Sequence, residues 1–289
     1  MQSALPKISV ITPSFNQGRF IEQTILSVIA QKYPNTEYII MDGGSTDNTV
    51  DVIKKYEEHI TYWQSQKDNG QAAAINDGFK KATGEILCWL NSDDMYMEDV
   101  FDRVAQKFKE KENPSIVFGN CHHFTEGGGK TRGSDVVKSF GKYKLSLCDY
   151  VIQPSSFWNR QTWDTVGQLD ESLTYTFDWD WFIRAQAKGT EFVPVEDYLS
   201  QYRIHDAHKS GSGDKKRTEE LKSIVAKYND KKLSEAFNKW ITLYNKNNLL
   251  SKTIDAGQRL NFSIINAMSR MLLFPGLSKK EYLNIVAMN

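Results

Sequence analysis

The sequence predicts an α/β fold, with a mostly parallel central sheet flanked by helices and a helical appendage at the C-terminal end. Between residues 7 and 120, short apolar runs alternate with segments whose apolar residues recur every three or four positions. The first pattern is typical of buried strands and the second of helices, so together they indicate βαβ units and a parallel sheet. Helical spacing over roughly the last 75 residues predicts the appendage.

Strands and helices follow one another in a regular order in the first half of the chain. Apolar runs predict strands at Ile8–Thr12, Tyr38–Met41, Glu85–Leu90 and Ile116–Gly119. Helical spacing predicts the intervening helices, which carry Ile21, Ile25 and Ile29; Val50–Tyr56; Ala72–Ala82; and Val100, Val104 and Phe108. In such a sheet the carboxyl ends of the strands form the edge at which ligands bind.

After Asn120 the pattern becomes irregular. Gly127–Gly129 predict a hairpin tip, and Lys138–Tyr150 has no clear period, which is typical of a floor or lid. Order returns at Ser155–Trp158, in a helix Trp179–Lys188 ended by Gly189, and in a strand Phe192–Val195. The linker composition of Ser210–Asp214 divides the chain into a domain over residues 1–210 and a helical region over residues 211–289.

Composition excludes some classes of function. Lys plus Arg and Asp plus Glu number 36 each, so the formal net charge is zero and there is no whole-molecule field to attract nucleic acid. Three cysteines without metal-type spacing indicate buried thiols in a reducing compartment. There is no signal-like segment and no apolar run approaching the roughly 20 residues that span a bilayer, so we expect a cytoplasmic protein.

Polar residues follow three of the predicted strands, at the edge where a ligand would bind. Thr12–Asn16 follows the first strand, Asp42–Asp47 the second and Asn91–Asp94 a later one. No glycine-rich dinucleotide or Walker-type motif occurs in the chain, which argues against dehydrogenases and kinases. The three clusters therefore predict a site of another kind.

The first two clusters each allow two interpretations. The ring of Phe15 is suited to stacking on a base, but a strand-end aromatic more often fills the core. Ser45, Thr46 and Asp47 are good caps for a helix beginning near Thr49. Capping leaves Asp42 unexplained, because a carboxylate at the end of a buried strand needs a partner, which a base or ribose would supply.

The third cluster carries two adjacent carboxylates, Asp93 and Asp94. They repel one another unless a positive group lies beside them. Mg²⁺ or Mn²⁺ meets that need, since these ions are usually held by one or two carboxylates together with substrate phosphates. The alternative is an acidic N-cap for a helix beginning near Glu98.

Two further motifs carry candidate chemistry. Asp178 and Asp180 begin a helix, and an aspartate wedged among aromatic rings would have a raised pKa suited to a general base. The alternative is capping, which fits Asp180 better than Asp178. His205 follows the last predicted strand, where a histidine is either a solvated side chain or a ligand to a metal or phosphate.

These clusters, in this order, resemble glycosyltransferase family 2, whose members have the GT-A fold. The resemblance covers roughly residues 7 to 210. The order in which the motifs follow one another is far more specific than any one motif. The matching stretches are Ile8–Gln31, Tyr38–Val50, Asp68–Asp94, Gln153–Asp170 and Asp178–Arg184.

The resemblance implies roles for particular residues. It places the nucleotide at Pro13, Ser14, Phe15, Asn16, Asp42, Asp68, Asn91 and Ser92. It places a divalent metal and the diphosphate at Asp93 and His205, the catalytic base at Asp178, and the donor or acceptor sugar at Asp94, Gln153, Trp158 and Trp179. Aromatic faces and amides often hold sugars, although tryptophans of this kind are also typical of cores.

The implied reaction is an inverting transfer that depends on Mn²⁺ or Mg²⁺. Asp178 takes a proton from an acceptor hydroxyl, whose oxygen attacks the anomeric carbon of a nucleotide sugar, with UDP the expected nucleotide. The expected acceptor is a saccharide or lipid-linked saccharide, as in polysaccharide biosynthesis. The chain departs from many relatives at Gly43 and Asn91, where those carry acidic residues.

Other classes predict different features. A sugar nucleotidyltransferase would have a glycine-rich basic loop after the first strand, whereas this loop has a single glycine, Gly18. A non-catalytic binding or scaffold protein would show no turnover and no effect of Asp178→Asn beyond stability. Apolar and basic residues mix in Arg259–Phe274, which indicates a contact with a membrane surface, with the catalytic domain or with a second copy in a homodimer.

Overall fold

The structure is a computed structural model that describes residues 5–109, 111, 113–126, 132–134, 136–206, 215–245, 252–254 and 263–287. The chain divides into two units. The first unit comprises Met1–Val137 and Val151–His208, and the second comprises Lys138–Tyr150 and Lys209–Asn289. The division at His208 lies beside the boundary predicted from the linker composition. The segment predicted as a floor or lid belongs to the second unit.

The first unit begins with alternating strands and helices, as its periodicity predicts. The elements are β1 (Ile8–Ser14), α1 (Ile21–Ile29), β2 (Thr36–Asp42), α2 (Thr49–Lys55), β3 (Tyr62–Ser65), α3 (Gln71–Lys81) and β4 (Ile86–Trp89). The strand β3 was not predicted, because its four side chains are exposed or only partly buried and no apolar run marks it.

The remainder of the first unit is more varied. Its elements are β5 (Met95–Tyr96), α4 (Val100–Phe108), β6 (Ser115–Thr125), β7 (Arg132–Gly133), β8 (Ser156–Asn159), α5 (Arg160–Val166), α6 (Phe177–Ala187) and β9 (Glu191–Ile204). The helix α6 ends before Gly189, whose positive φ of 80° suits a glycine after a helix. The predicted hairpin tip at Gly127–Gly129 lies outside the described residues.

The strands form one sheet in the order β3-β2-β1-β4-β8-β6-β9-β5, with β7 beside β6. The strands β3, β2, β1 and β4 are parallel, as expected. Beyond β4 the sheet is mixed, because β8 runs antiparallel to both β4 and β6, while β9 is parallel to β6. The parallel part has the topology that the βαβ pattern predicts.

The register of the parallel strands aligns the loops that follow them. Ser14 at the end of β1 pairs with Asp42 at the end of β2, and Asp42 pairs with Ser65 at the end of β3. Ile21 and Ile25 of helix α1 lie in the same hydrophobic core cluster as Val10 of β1 and Ile40 of β2. The loops after these strands therefore begin at one level and meet at one edge.

The second unit is helical, as its apolar spacing predicts. Its main elements are α7 (Lys215–Tyr228), α8 (Lys231–Asn245), α9 (Ser263–Leu273) and α10 (Lys279–Val286). The buried side chains of Ile224, Phe237 and Trp240 lie in its core. The segment 138–150 is tied to these helices, since the backbone N–H of Lys144 donates to Asn284 and Ser146 Oγ donates to Asn229 Oδ1. The predicted linker Ser210–Asp214 and the start of Arg259–Phe274 lie outside the described residues.

All three cysteines are buried and free, as expected. Burial raises the pKa of the Cys88 thiol to about 12, and it does the same for Cys121 and Cys148. Within the described ranges, no helix combines the length and the apolar character needed to cross a membrane.

Candidate active site

The loops after β1 and β2 are joined by hydrogen bonds to one another. Asn16 has a positive φ of 52°, a conformation that asparagine tolerates better than most residues. Its backbone N–H donates to Ser45 Oγ at 2.7 Å, and its side-chain oxygen accepts from the Thr46 N–H at 2.9 Å. The predicted nucleotide residue Asn16 therefore fixes the shape of both loops.

Asp47 completes this junction. Its carboxylate accepts from the Gly18 N–H at 2.9 Å and from the Thr49 N–H at 3.0 Å. The N-cap of α2 is Asn48, so Asp47 lies one residue before the cap, and its bond to the Thr49 N–H ties it to the first turn of the helix. Hydrogen bonding from Thr49 and Gly18 outweighs the opposing effect of burial and lowers the pKa of Asp47 below its usual value.

Asp42 is 2% exposed at the end of β2. Its carboxylate accepts hydrogen bonds from the Ser45 N–H (2.9 Å), Ser45 Oγ (2.5 Å) and Ser65 Oγ (2.6 Å). These protein groups supply the partner that a buried carboxylate needs, so the burial of Asp42 does not by itself require a base or ribose. Asp42 holds the turn after β2, and its predicted contact with a nucleotide rests on the family resemblance.

Asp68 lies against Gly43. A Cβ placed on Gly43 would be 2.8 Å from Asp68 Oδ2, so the absence of a side chain there gives the carboxylate its room. Asp68 Oδ1 accepts from the Gly70 N–H at 2.8 Å. Many relatives carry an acidic residue where this chain has Gly43. In this chain a side chain at that position would collide with Asp68.

Asp42 and Asp68 share a cavity of about 270 Å³. Its other walls include Gln64 and Gln66 from the end of β3 and Lys67 beyond it. The walls are polar and carry both signs of charge, which suits a ligand with several hydrogen-bonding groups. The two acids that the resemblance assigns to base and ribose therefore line the same space.

The residues of the predicted β1 cluster differ in exposure. Phe15 is 60% exposed, so the interpretation that its ring fills the core is wrong. Pro13 and Ser14 are buried, and Ser14 Oγ has no hydrogen-bond partner within the part of the chain that the structure describes. The ring of Phe15 is therefore open to contact with a ligand.

The side chains of Asp93 and His205 meet at the other end of this edge. Asp93 Oδ2 lies 3.0 Å from His205 Nε2, although the residues are 112 positions apart in the sequence. The histidine side chain is almost fully buried, with its ring 4.4 Å from that of Phe20, while the carboxylate is partly exposed. His205 is therefore not a solvated loop side chain.

Arg203 fixes the loop that carries Asp93. Its Nε donates to the Asp93 carbonyl at 3.0 Å, and its backbone N–H donates to Asp94 Oδ1 at 3.1 Å. The guanidinium is buried over the rings of Phe20 and Phe124, and this burial lowers the pKa of Arg203 below its usual value. The sequence assigned Arg203 no role. The only signal was its position two residues before His205, which places both on one side of an extended strand.

Asp94 faces the protein interior. It is 1% exposed, and its Oδ2 accepts from Asn91 Nδ2 at 3.3 Å. Burial raises the pKa of Asp94 well above its usual value, and the neighbouring Asp93 carboxylate adds to the rise. The loop is separated from α4 by β5, so the alternative of an N-cap for that helix is wrong. Only Asp93 of the pair presents an exposed carboxylate.

Asn91 lies in a chain of amide side chains. Its Oδ1 accepts from Gln71 Nε2 at 2.8 Å, and its Nδ2 donates to Gln153 Oε1 at 3.4 Å. Gln153 is itself buried and donates to the Trp89 carbonyl at 2.6 Å. Ser92 is buried as well. Gln153 therefore holds the side chain of Asn91 in place. It is buried and has little exposed surface that a sugar could contact.

Three of the residues predicted to contact a sugar are almost wholly buried, namely Asp94, Trp158 and Trp179. Trp158 packs against Trp89 and Trp181, with ring centroids 5.2 and 4.8 Å away. A ring with no exposed surface cannot present its face to a sugar. The sugar-contact prediction is therefore wrong for Trp158, which belongs to the core, and burial argues equally against Asp94 and Trp179.

The two aspartates of α6 have different environments. Asp180 is fully buried and accepts from Arg184 Nε at 2.8 Å, so it forms an ion pair within the helix rather than a cap. Asp178 is partly exposed in the first turn, where its Oδ1 accepts from the Trp179 N–H at 2.8 Å. Asp178 is thus the acid of the pair that a substrate can reach.

The residues present fit a divalent metal held by few protein ligands. Among the described residues, no three His, Cys, Asp or Glu side chains form a metal-binding group. Asp93 and His205 nevertheless bring a carboxylate oxygen and an imidazole nitrogen together, a pair of donors that suits Mn²⁺. Two protein ligands leave coordination positions for water and substrate phosphates, as is usual for Mn²⁺ and Mg²⁺.

Comparisons with known proteins show the family of the chain. The profile of Glycosyl transferase family 2 matches residues 9–163. An uncharacterised glycosyltransferase of Nostoc is 31% identical over 216 residues, which are 70% of this chain and 66% of that protein. The chain thus spans just under two thirds of that relative's length.

Two solved structures have a similar fold. Residues 1–349 of S. aureus TarS, in complex with UDP-GlcNAc, match with a TM-score of 0.61 at 16% identity, over 97% of this chain and 90% of that one. A mannosyltransferase of Pyrobaculum calidifontis, in complex with GDP-Man and Mn²⁺, matches with a TM-score of 0.59 at 16% identity. That match covers 99% of this chain and 87% of the mannosyltransferase chain.

Proposed function

The chain belongs to glycosyl transferase family 2 and has the GT-A fold, and from this premise we propose that it transfers a sugar from a nucleoside diphosphate sugar to a hydroxyl group. The observation that carries the proposal is the meeting of Asp93 and His205 at the sheet edge. A carboxylate and an imidazole held there suit a metal-bound diphosphate, which is the leaving group of such a donor.

The donor proposed here is a UDP-sugar. The cavity lined by Asp42 and Asp68, and the exposed ring of Phe15, supply acceptors for polar edges and an aromatic face for a base. TarS is described with UDP-GlcNAc and the Pyrobaculum enzyme with GDP-Man, so proteins of this fold take different nucleotides. UDP remains the expectation from the family resemblance.

Asp93 and His205 would hold a divalent metal, Mn²⁺ or Mg²⁺. When bound, the metal neutralises charge on the departing diphosphate. Arg203 keeps the Asp93 loop in place through its bonds to the Asp93 carbonyl and the Asp94 carboxyl group. The buried ring of Phe20 packs against His205 and limits its orientations.

Asp178 is the proposed general base. Its carboxylate accepts the proton of an acceptor hydroxyl while that oxygen bonds to the anomeric carbon of the donor sugar. The bond from this carbon to the diphosphate oxygen breaks, and the electron pair leaves with the nucleoside diphosphate. A single displacement from the opposite face inverts the anomeric configuration. The partner Asp180 cannot take this role, because it is buried in an ion pair with Arg184.

The proposed acceptor is a saccharide or lipid-linked saccharide, in the synthesis of a polysaccharide. The contact with a membrane and the homodimer predicted from the C-terminal segment both concern the second unit and are separate from this reaction. The predicted absence of nucleic acid as a partner likewise stays a prediction.

The experiment that tests the function measures nucleoside diphosphate release from a panel of nucleotide sugars with Mn²⁺. In the absence of an acceptor, slow transfer to water is expected for the true donor. Asp178→Asn should lower the rate of nucleoside diphosphate release by a factor of about one hundred or more, while the affinity for the donor stays the same. The matched control is Asp170→Asn, a partly buried carboxylate that only caps its own turn by bonding Ser172.

The outcomes separate the candidates. Release that depends on Asp178 but not on Asp170 supports the transferase. Donor binding without release in any condition, including with a panel of simple sugar acceptors, favours the non-catalytic binding protein instead. Release of pyrophosphate from a nucleoside triphosphate and a sugar phosphate would favour a sugar nucleotidyltransferase.

A further inference from the structure

Helix α9 of the second unit carries an exposed apolar face. Met268 is 52% exposed, Met271 is 60% exposed and Leu272 is 74% exposed. Residues three and four positions apart lie on one side of a helix, so these side chains form one continuous patch. Two apolar residues farther along the chain, Phe274 and Leu277, are buried, which shows that the unit has an interior that the patch does not enter. We call these three residues the α9 patch.

The α9 patch differs from the other exposed apolar residues. The remaining exposed large hydrophobic residues among those described are Leu5, Phe15, Leu26, Tyr62, Ile204 and Tyr244. They belong to different elements, and single exposed apolar side chains are common on protein surfaces. Several such residues on one face of one helix more often mark a surface that contacts a partner.

Basic residues lie near the patch in the sequence, and one of them contacts the end of α9. No aspartate or glutamate occurs between Asp255 and Glu281. Lys279 and Lys280 at the start of α10 are exposed. Lys239 of α8 reaches the end of α9, where its Nζ donates to the Leu273 carbonyl at 2.5 Å. The α9 patch therefore lies in a segment that has basic residues and no acidic ones.

The charge of the second unit is strongly positive. It contains 18 Lys and Arg against 8 Asp and Glu, a formal net charge of +10. The first unit contains 18 Lys and Arg against 28 Asp and Glu, a net charge of −10. The neutral charge of the whole chain is thus the sum of two units of opposite charge, and the positive second unit attracts anions.

We propose that the α9 patch docks the second unit on the surface of an anionic lipid bilayer. A helix with exposed Met and Leu side chains and adjacent lysines lies in the plane of a membrane interface, with its apolar face among the acyl chains. Lys239, Lys279 and Lys280 then reach the lipid phosphates, as long basic side chains do at this depth. In this arrangement the apolar side chains contact the acyl chains and the lysines contact the lipid phosphates.

The same observations argue against two other occupants. A second copy of the chain would bring one unit of charge +10 against another, which opposes a symmetric contact through α9. A nucleic acid would engage the lysines but would leave Met271 and Leu272 without an apolar partner. An anionic bilayer satisfies both sets of side chains, and its binding does not depend on the sugar transfer proposed above.

The test is co-sedimentation of the full chain with vesicles. Vesicles of equal parts phosphatidylcholine and phosphatidylglycerol are compared with vesicles of phosphatidylcholine alone, at low and at high salt. We expect the chain to sediment with the anionic vesicles at low salt. Its binding to the neutral vesicles should be weaker by a factor of about ten or more. High salt should weaken binding to the anionic vesicles.

Two variants locate the surface. Met271→Glu combined with Leu272→Glu changes only highly exposed side chains, so the fold should be kept, and binding should fall by about tenfold or more. Lys279→Gln combined with Lys280→Gln should lower binding to anionic vesicles by a similar factor. The matched control is Leu26→Glu, an exposed leucine on a helix of the first unit, which should bind as the wild type does.

Several results would overturn the proposal. The chain could stay in the supernatant with anionic vesicles at low salt, or the Met271→Glu, Leu272→Glu variant could bind as well as the wild type. A dimer seen by light scattering that this double variant dissociates would instead identify a second copy as the occupant. Equal melting temperatures of the variants and the wild type ensure that a loss of binding is not a loss of folding.

Discussion

Asp93 Oδ2 and His205 Nε2 lie 3.0 Å apart, which joins the loop after β4 to the residue that follows β9. Other residues hold both Asp93 and His205 in position. Arg203 holds the Asp93 backbone, and the ring of Phe20 packs on His205. The contact brings two metal-binding groups together at the edge of the sheet where the ligands of such folds bind.

Replacement of His205 should weaken metal binding. His205→Gln removes the imidazole nitrogen and keeps a polar side chain, so we expect the Mn²⁺ concentration for half-maximal activity to rise about tenfold or more. The measurement is nucleoside diphosphate release as a function of Mn²⁺ concentration. His59→Gln is the control, because His59 is exposed and borders Glu58 on the surface. An unchanged Mn²⁺ requirement in His205→Gln would remove this residue from the metal site.

Arg203 should act as a positioning residue. Arg203→Lys keeps the positive charge but loses the planar group that reaches the Asp93 carbonyl, so we expect about a tenfold loss of activity and a higher Mn²⁺ requirement. The change should also cost about 1–3 kcal/mol of stability.

Arg160→Lys is the matched control for this effect. Arg160 also donates to backbone carbonyls, those of Gly84 and Ala82, and it lies at the start of α5. It should lose stability in the same way while the folded enzyme keeps its Mn²⁺ requirement. Equal Mn²⁺ curves for the two variants would mean that Arg203 has a structural role alone.

Gly43→Ala should disturb Asp68. The added Cβ would lie 2.8 Å from Asp68 Oδ2, so the carboxylate must move, and we expect donor affinity to fall about tenfold. Calorimetric titration with the nucleoside diphosphate measures the change. The double variant Gly43→Ala, Asp68→Ala should bind no worse than Asp68→Ala alone, because the clash has been removed. Additive losses would show that Gly43 acts in some other way.

Trp158→Phe should alter stability and leave the substrate constants unchanged. The ring is fully buried, and its Nε1 has no hydrogen-bond partner within the described residues, so the change removes core volume and no satisfied polar contact. We expect a loss of about 1–2 kcal/mol in the free energy of unfolding. A raised KM for donor or acceptor in an enzyme that is still folded would restore Trp158 to the sugar site.

Much of the fold follows from periodicity, and the exceptions have physical reasons. The alternation of apolar runs and helical spacings predicts β1, β2 and β4 and their helices, because a strand buried on both faces has a continuous apolar run and a helix buries one face. It missed β3, since Tyr62–Ser65 is an edge strand with little buried surface. It also missed that segment 138–150 packs with the C-terminal helices, because contacts such as Lys144 with Asn284 have no local signature.

The site was predictable only in part. Each polar cluster follows an apolar run, so its position at the sheet edge could be inferred, but the pairing of Asp93 with His205 depends on strands distant in sequence. Trp158 was misplaced because β8 lies between β4 and β6, with both of its faces buried. In such a strand the alternation that would distinguish inward from outward side chains is lost.

Thermal unfolding shows whether a nucleoside diphosphate binds here through a metal held by Asp93. Melting temperatures are measured with UDP, GDP, CDP and dTDP, each with and without Mn²⁺, on the wild type, Asp93→Ala and the exposed control Asp164→Ala. A ligand that binds only the folded state stabilises it by about 2.7 kcal/mol at 100 times its Kd.

We expect UDP to raise the melting temperature of the wild type and of Asp164→Ala by several degrees, only when Mn²⁺ is present. Asp93→Ala should show no such rise. If no nucleotide stabilises the wild type with Mn²⁺, or if Asp93→Ala is stabilised as well as the control, the claim is contradicted.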